Sequence, residues 1–175
     1  MMSMTREISY ILLTLTILLS ACTQNPDFEL YEGRTLRIAI IGEPPEVNAE
    51  QVKFNEISFD ELTNEELSSY DAVIMSEKNL PKAAEPNYAE TYSDSSIPFF
   101  FISASSHIPF TVKDTEYNDS WKWEAGKSYA VGVLKSKKKD AFHSWGYGLY
   151  NDELTDESIR DVYARIFKTI DELNH

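Results

Sequence analysis

The sequence has little cysteine and an excess of acidic over basic residues. Cys22 is the only cysteine among 175 residues, which excludes an internal disulfide and leaves packing alone to hold the fold. The chain has 16 Lys and Arg residues against 29 Asp and Glu residues, giving a formal net charge of −13. Because phosphate binding needs clustered basic side chains, this balance argues against a nucleic-acid partner.

The sequence also lacks an apolar run long enough for a permanent membrane span. Its longest run, residues 8–19, would form a helix of roughly 18 Å, whereas the hydrocarbon core of a bilayer is about 30 Å thick. Arg6 precedes this run, and the small residues Ser20 and Ala21 follow it. That order is typical of an export signal, so residues 1–21 are predicted to be a signal peptide.

The run ends in Leu19-Ser20-Ala21-Cys22, which resembles the lipobox of bacterial lipoproteins. The resemblance implies cleavage before Cys22 and a diacylglyceryl group on its thiol. Two acyl chains make membrane attachment stable where one would not. The expected location is therefore the extracytoplasmic face of a bacterial membrane, with Cys22 as the lipid anchor. The alternative is an ordinary secretory signal followed by a chance cysteine.

The rest of the chain is predicted to be a polar lipidated tether, residues 22–33, and a single α/β domain, residues 34–175. Apolar runs bounded by turn residues predict buried strands in a largely parallel sheet, and a last strand is expected to return antiparallel. The predicted strands cover residues 34–42, 52–57, 71–75, 97–102, 129–134 and 141–150. The fold class is a reduced doubly wound, flavodoxin-like, mostly parallel sheet. The link 43–50 is short for a parallel crossover, so either its helix is cut to a turn or the second strand is a poorly placed edge.

A C-terminal amphipathic helix is the clearest predicted element. Thr155 is a good N-cap, and acidic residues suit the first turn that follows it. The apolar residues recur at helical spacing and predict one buried face that covers the sheet. They are Ile159, Val162, Tyr163, Ile166, Phe167, Ile170 and Leu173.

Two segments resemble the receiver domains of bacterial response regulators. Residues 70–81 resemble the third strand of that family, and residues 97–104 resemble its fourth strand. Ser76 stands where the family has its phospho-accepting aspartate, and Gly42-Glu43 replaces its metal-binding acidic pair. The resemblance therefore implies a topology and no phosphotransfer.

In such sheets ligands bind at the carboxyl ends of the strands. That edge is expected to gather polar side chains from three strand ends: Glu43, Ser76, Glu77, Lys78, Ser103, Ser105, Ser106 and His107. A serine next to a histidine suggests a nucleophile with its base, although the sequence has no G-x-S-x-G turn. The alternative is a polar loop with an exposed histidine.

Aromatic residues are concentrated in the last third of the chain. Trp121, Trp123, His143, Trp145 and Tyr147 are the predicted binding residues, because large rings with polar tips suit contacts with a protein or glycan. The alternative is that these rings fill the second face of the sheet.

Three hypotheses for function follow. The first is a lipid-anchored extracytoplasmic binding or accessory protein that contacts an envelope protein or a cell-wall component through the aromatic segment. The second is an extracytoplasmic serine-dependent hydrolase. The third is a structural role in the envelope without a discrete site. No metal and no cofactor are expected.

Overall fold

The computed structural model describes residues 28–47, 49–136 and 141–173. The predicted signal peptide and the predicted lipidation site, Cys22, lie outside the described residues.

One six-stranded sheet organises the described chain. Its strands are β1 (Leu36–Ile41), β2 (Val52–Glu56), β3 (Ala72–Met75), β4 (Phe99–Ile102), β5 (Ala130–Lys135) and β6 (Phe142–Tyr147). They lie in the order β2-β1-β3-β4-β5-β6. The first four are mutually parallel, β5 is antiparallel to β4, and β6 is antiparallel to β5. The prediction of an α/β domain with a mostly parallel sheet is confirmed.

Four short helices follow the strands on one face of the sheet, and a long helix covers the other. They are α1 (Asn64–Leu67), α2 (Leu80–Ala83), α3 (Tyr88–Asp94), α4 (Ile108–Thr111) and α5 (Asp156–Leu173). Pro86 lies between α2 and α3 and explains why they are separate helices, since proline interrupts a helix interior, whereas Pro81 lies in the first turn of α2, where proline is tolerated.

Helix α5 begins and packs as its sequence predicts. The Thr155 hydroxyl accepts a hydrogen bond of 3.1 Å from the main-chain N–H of Ser158, so Thr155 is the N-cap. Val162, Ile166 and Ile170 are fully buried against the sheet. Leu173, at the end of the predicted apolar face, is exposed because the helix reaches past the sheet there.

The core lies in two layers, one on each face of the sheet, because successive side chains of a strand point to opposite faces. The α5 face carries mainly Leu36, Ile38, Ile40, Ile74 and Phe100, and the opposite face carries Ala39, Ile41, Val73, Met75, Phe99 and Phe101. Fully burying a side chain of this size contributes about 1.5–3 kcal/mol. The central strands are therefore apolar at nearly every position, with exposed Arg37 of β1 as the exception.

The link between β1 and β2 contains no helix among its described residues, 42–47 and 49–51. Pro44 and Pro45 disfavour a helix there. Both alternatives drawn from the sequence hold, since the crossover is reduced to a loop and β2 is an edge strand.

Most predicted strand boundaries differ from the structure by one or two residues, and two boundaries differ by more. Strand β6 ends at Tyr147 rather than residue 150, because the chain turns at Tyr150–Asp152, where Asn151 has a φ of 51°. The end of the predicted tether packs against the domain: Tyr31 is 4% exposed and its ring lies 5.9 Å from that of Phe167. The packed domain therefore begins before residue 34, since the apolar body of Tyr31 belongs to the core.

Helices of the described part of the chain are all too short or too polar to cross a lipid bilayer.

Candidate functional site

The order of the strands leaves a cleft at the carboxyl end of the sheet. After β1 the chain turns to β2 on one side, and after β3 it turns to β4 on the other. The two connections diverge, and among the described residues only one turn of 3-10 helix, Glu77–Asn79, lines the space between them. The result is a cleft of about 590 Å³ lined by Gly42, Glu43, Pro44, Glu56, Ile57, Ser76, Glu77, Lys78 and Asn79. Crevices of this origin are the usual ligand sites of open α/β sheets.

The floor of the cleft is tightly built. Gly42 has a φ of +116°, and a Cβ there would overlap the Ser76 side chain. The Asn79 amide donates hydrogen bonds to the Ile41 carbonyl, at 3.1 Å, and to Ser76 Oγ, at 2.9 Å. These bonds tie the loop after β3 to the end of β1. The floor is therefore held by the close approach of the chain at Gly42 and by the two hydrogen bonds of the Asn79 amide, rather than by apolar packing.

The rim of the cleft is acidic. Glu43, Glu56 and Glu77 line it together with a single cation, Lys78. Lys78 Nζ lies 3.8 Å from Glu43 Oε1, but both side chains are almost fully solvated, at 86% and 90% exposed. A solvated pair of this kind contributes little to stability. The rim therefore has an excess of negative charge that favours a cation.

No cluster of three or more His, Cys, Asp or Glu side chains that could hold a metal ion occurs within residues 28–47, 49–136 and 141–173.

The predicted serine and histidine residues lie at the other end of the same edge, after β4. Ser103 is 7% exposed and has a φ of 66°. Ser105 Oγ donates to the Trp121 carbonyl at 3.0 Å, and Ser106 Oγ accepts from the Ile108 N–H at 3.3 Å. Partial burial lowers the pKa of His107. No described hydrogen bond joins the His107 ring to a serine hydroxyl, so these residues are near neighbours without forming a nucleophile–base pair.

A long connection, residues 103–129, closes this end of the edge. The Trp123 N–H donates to the Ser103 carbonyl at 2.9 Å, and the Ser105 N–H donates to the Trp121 carbonyl at 2.8 Å. Beneath it the rings of Phe101 and Phe110 stack with centroids 3.8 Å apart. We call residues 103–129 the closed corner. Its hydrogen bonds and stacked rings cover the strand ends, whereas its residues 114–117 line a separate cavity of about 350 Å³ with Pro81, Ala84, Glu85 and Pro86.

The predicted aromatic binding residues fall into two separate groups. Trp121 and Trp123 belong to the closed corner. The Trp121 indole donates to the Glu116 carbonyl at 3.1 Å, and Trp123 packs edge-on to Tyr129 with centroids 6.0 Å apart. These contacts stabilise the corner.

His143, Trp145 and Tyr147 form the second group, along one face of the edge strand β6. Trp145 packs over Phe100 and over Gly132, where a Cβ would overlap the Phe100 ring. His143 is exposed and stacks on Trp145 with centroids 4.3 Å apart. Tyr147 is 5% exposed and donates to Thr169 Oγ1 at 2.8 Å, and burial raises its pKa to about 12. His143 and part of Trp145 are thus the accessible aromatic surface.

Glu77 lies between the cleft and the closed corner. Burial raises the pKa of Tyr117 to about 12, and the negative charges of Glu77 and Asp119 add to that shift. Burial, followed by the Glu77 charge, also raises the pKa of Tyr129. A change in the charge of Glu77 should therefore change the pKa of Tyr117 and of Tyr129.

Sequence reasoning found Glu43, Ser76, Glu77 and Lys78 but missed the rest of the cleft. Glu56 and Ile57 close it from β2, which the short link made difficult to place. Asn79 gave no signal beyond its position three residues after Ser76. Gly42, directly after an apolar run, was the one available sign of a close backbone approach.

No protein family matches the chain, and the comparisons with curated proteins and with solved structures returned no match.

Proposed function

We propose that the chain is a lipid-anchored binding protein of the extracytoplasmic face of a bacterial membrane, with a reduced, doubly wound flavodoxin-like domain that binds a small organic cation. Cys22 would carry the anchor, and the β1/β3 cleft would hold the ligand. The observation that carries the proposal is the open cleft at the point where the strand order reverses.

The size of the cleft supports a small molecule. Small-molecule sites enclose about 300–1,000 Å³ and combine apolar walls with a few polar groups. At about 590 Å³ the cleft lies in this range, with Pro44 and Ile57 as apolar walls and Ser76 as a polar group at its floor.

The charge of the cleft supports a cation. Three carboxylates and one ammonium group line it, within a chain of net charge −13. The field of such a surface attracts cations and repels anions. An amine or guanidine could reach Glu77 and Glu43 while its carbon chain lies along Ile57. Spermidine, putrescine and arginine amide are suitable probes, and succinate and glucose are the anionic and neutral comparisons.

Calorimetric titration of the full chain in detergent tests the proposal with three matched variants. Glu77→Gln removes a rim carboxylate and should weaken binding of the amines several-fold. Lys78→Met removes the competing cation and should strengthen it. Glu90→Gln, on the exposed side of α3, should leave binding unchanged. Equal affinity of all three variants, or a preference for succinate, would reject the cleft as a cation site.

The anchor is tested separately. Metabolic labelling with a fatty acid should mark the wild-type chain and not Cys22→Ser, and the variant should leave the membrane fraction. An unlabelled wild-type chain would remove the anchor and the proposed location, but it would leave the cleft as a ligand site.

The hydrolase alternative rests on Ser103, whose left-handed backbone directly after β4 is of the kind found at strained functional turns. The hydrogen bonds of Ser105 and Ser106 give those two hydroxyls other partners. A fluorophosphonate probe should therefore fail to label the chain. Labelling that is lost in Ser103→Ala would establish the hydrolase instead.

A further inference from the structure

Strand β6 presents an open edge of the sheet. The Ser136 N–H donates to the Ala141 carbonyl at 3.0 Å, so these residues face each other as a hydrogen-bonded pair. Such pairs alternate along an antiparallel ladder, so His143 and Trp145 also turn their main-chain groups towards β5. The N–H and C=O groups of the residues between them, Phe142, Ser144 and Gly146, point outward from the edge.

Within the described residues, this edge lacks the charged side chains and proline that usually prevent strand addition. The outward groups have no hydrogen-bond partner in the described part of the chain. The strand Phe142–Tyr147 contains no Asp, Glu, Lys, Arg or Pro. Charged residues and proline are the usual protection of an edge strand. The opposite edge, β2, has Lys53 and Glu56.

We infer that β6 pairs antiparallel with β6 of a second copy of the chain, with Ser144 on the two-fold axis. This register brings together the outward groups of both strands in about six main-chain hydrogen bonds. It places His143 of one copy directly opposite Trp145 of the other, twice, on the same face of the joined sheet. The exposed His143–Trp145 stack thus extends into a row of four rings.

Charge favours a second copy at this edge. Two chains of net charge −13 repel each other over most of their surface, and β6 is an uncharged strip on which they can meet. A two-fold contact of this kind is the commonest way in which identical chains associate.

A strand pair of this length buries less area than a standard interface of about 1,600 Å². The dimer is therefore expected to be weak and dependent on concentration. The pairing does not require the lipid anchor, although two chains held on one membrane would meet at a higher effective concentration.

Cysteine crosslinking tests the register. Across the axis the two Ser144 Cα atoms would lie about 5.5 Å apart, within the range that a disulfide spans. Under mild oxidation the full chain carrying Ser144→Cys should form a covalent dimer. Lys53→Cys, on the exposed β2 edge, and the wild-type chain with Cys22 alone should remain monomeric. A dimer that forms equally in all three would overturn the inference, as would the absence of a Ser144→Cys dimer.

Sedimentation equilibrium in density-matched detergent gives a readout without an introduced thiol. The wild-type chain should associate as its concentration rises. Ser144→Lys should abolish the association because it places two ammonium groups together at the axis, and Asn55→Lys on β2 should not. A wild-type chain that stays monomeric throughout overturns the inference and leaves the edge to a different partner, and so does Ser144→Lys associating like the wild type.

Discussion

The two ends of the carboxyl edge of the sheet contain similar polar residues but are filled differently. At the β1/β3 end the chain departs to opposite sides and leaves an open cleft of about 590 Å³. At the β4/β5 end residues 103–129 fold back over the strand ends, and their main-chain hydrogen bonds and the Phe101–Phe110 stack close the space. Serine occurs at both ends, and the only histidine of the edge lies in the closed corner.

The difference shows that chain direction, rather than residue type, decides where a ligand can enter. The β4–β5 pair is antiparallel, so its connection must cross the edge that it leaves. The parallel β1–β3 pair has connections that lead away from each other. A serine next to a histidine therefore lies where the protein itself occupies the space.

The largest expected effect tests the packing of the closed corner against that of the open cleft. Phe110→Ala removes a ring that is 1% exposed and stacked on Phe101, and it should cost about 3–5 kcal/mol of unfolding free energy. Glu43→Gln, at the rim of the cleft, where the side chain is 90% exposed, should change it by no more than about 0.5 kcal/mol. Urea denaturation measures both. Equal costs would mean that the corner is no more closely packed than the cleft.

The next effect tests the floor of the cleft. Gly42→Ala must adopt a positive φ and also place a Cβ on Ser76, so strain of about 1 kcal/mol and overpacking of about 1–3 kcal/mol should add. Gly126→Ala, in the closed corner, also has a positive φ, of +85°, but nothing lies within 4 Å of its Cβ. Gly126→Ala should therefore lose only the part of the unfolding free energy that comes from backbone strain, about 1 kcal/mol. Matching losses in denaturation would contradict a tightly built floor.

A smaller effect is expected at alkaline pH. Burial raises the pKa of Tyr117 and of Tyr147 to about 12, above the ordinary value of 10. The folded state holds these protons more tightly than the unfolded state does. The stabilisation that each tyrosine contributes is therefore fully present below pH 10. It should be lost between pH 10 and 12, which lowers the free energy of unfolding by on the order of 2 kcal/mol for each group. Tyrosinate absorbance and the free energy of unfolding, both measured across this pH range, test the expectation.

Glu77→Gln sharpens the alkaline test. Removing its negative charge should lower the pKa of Tyr117 and leave that of Tyr147 unchanged, since Glu77 contributes only to the first. Normal titration of Tyr117 near pH 10 in the wild-type chain would show that the corner is open to solvent.

Much of the fold could be predicted from the sequence, because its signals are local. Apolar runs indicated β1, β3, β4 and β5, an alternating pattern indicated β2, and a turn before residue 141 indicated β6. The Thr155 cap with the spacing of Val162, Ile166 and Ile170 indicated α5. Tyr31 escaped because the apolar residues of its polar segment, Phe28, Leu30 and Tyr31, are too few to indicate an element, and its burial depends on distant Phe167.

The site was less predictable because it depends on contacts distant in sequence. The sequence indicated that Glu43 and Ser76 share an edge, but not that a cleft separates their loops from the serines after β4. Trp121 and Trp145 are near in sequence, yet a hydrogen bond holds one in the closed corner and β6 carries the other.

The central claim, that the β1/β3 cleft is the ligand site, is tested most directly by nuclear magnetic resonance. Amide shifts of the isotope-labelled full chain in detergent would be followed during titration with spermidine. The account predicts saturable changes confined to Gly42, Glu43, Glu56, Ile57 and Ser76–Asn79, with residues 103–129 unchanged apart from neighbours of Glu77. Changes centred on Ser103–Trp123, or none that saturate, would contradict it.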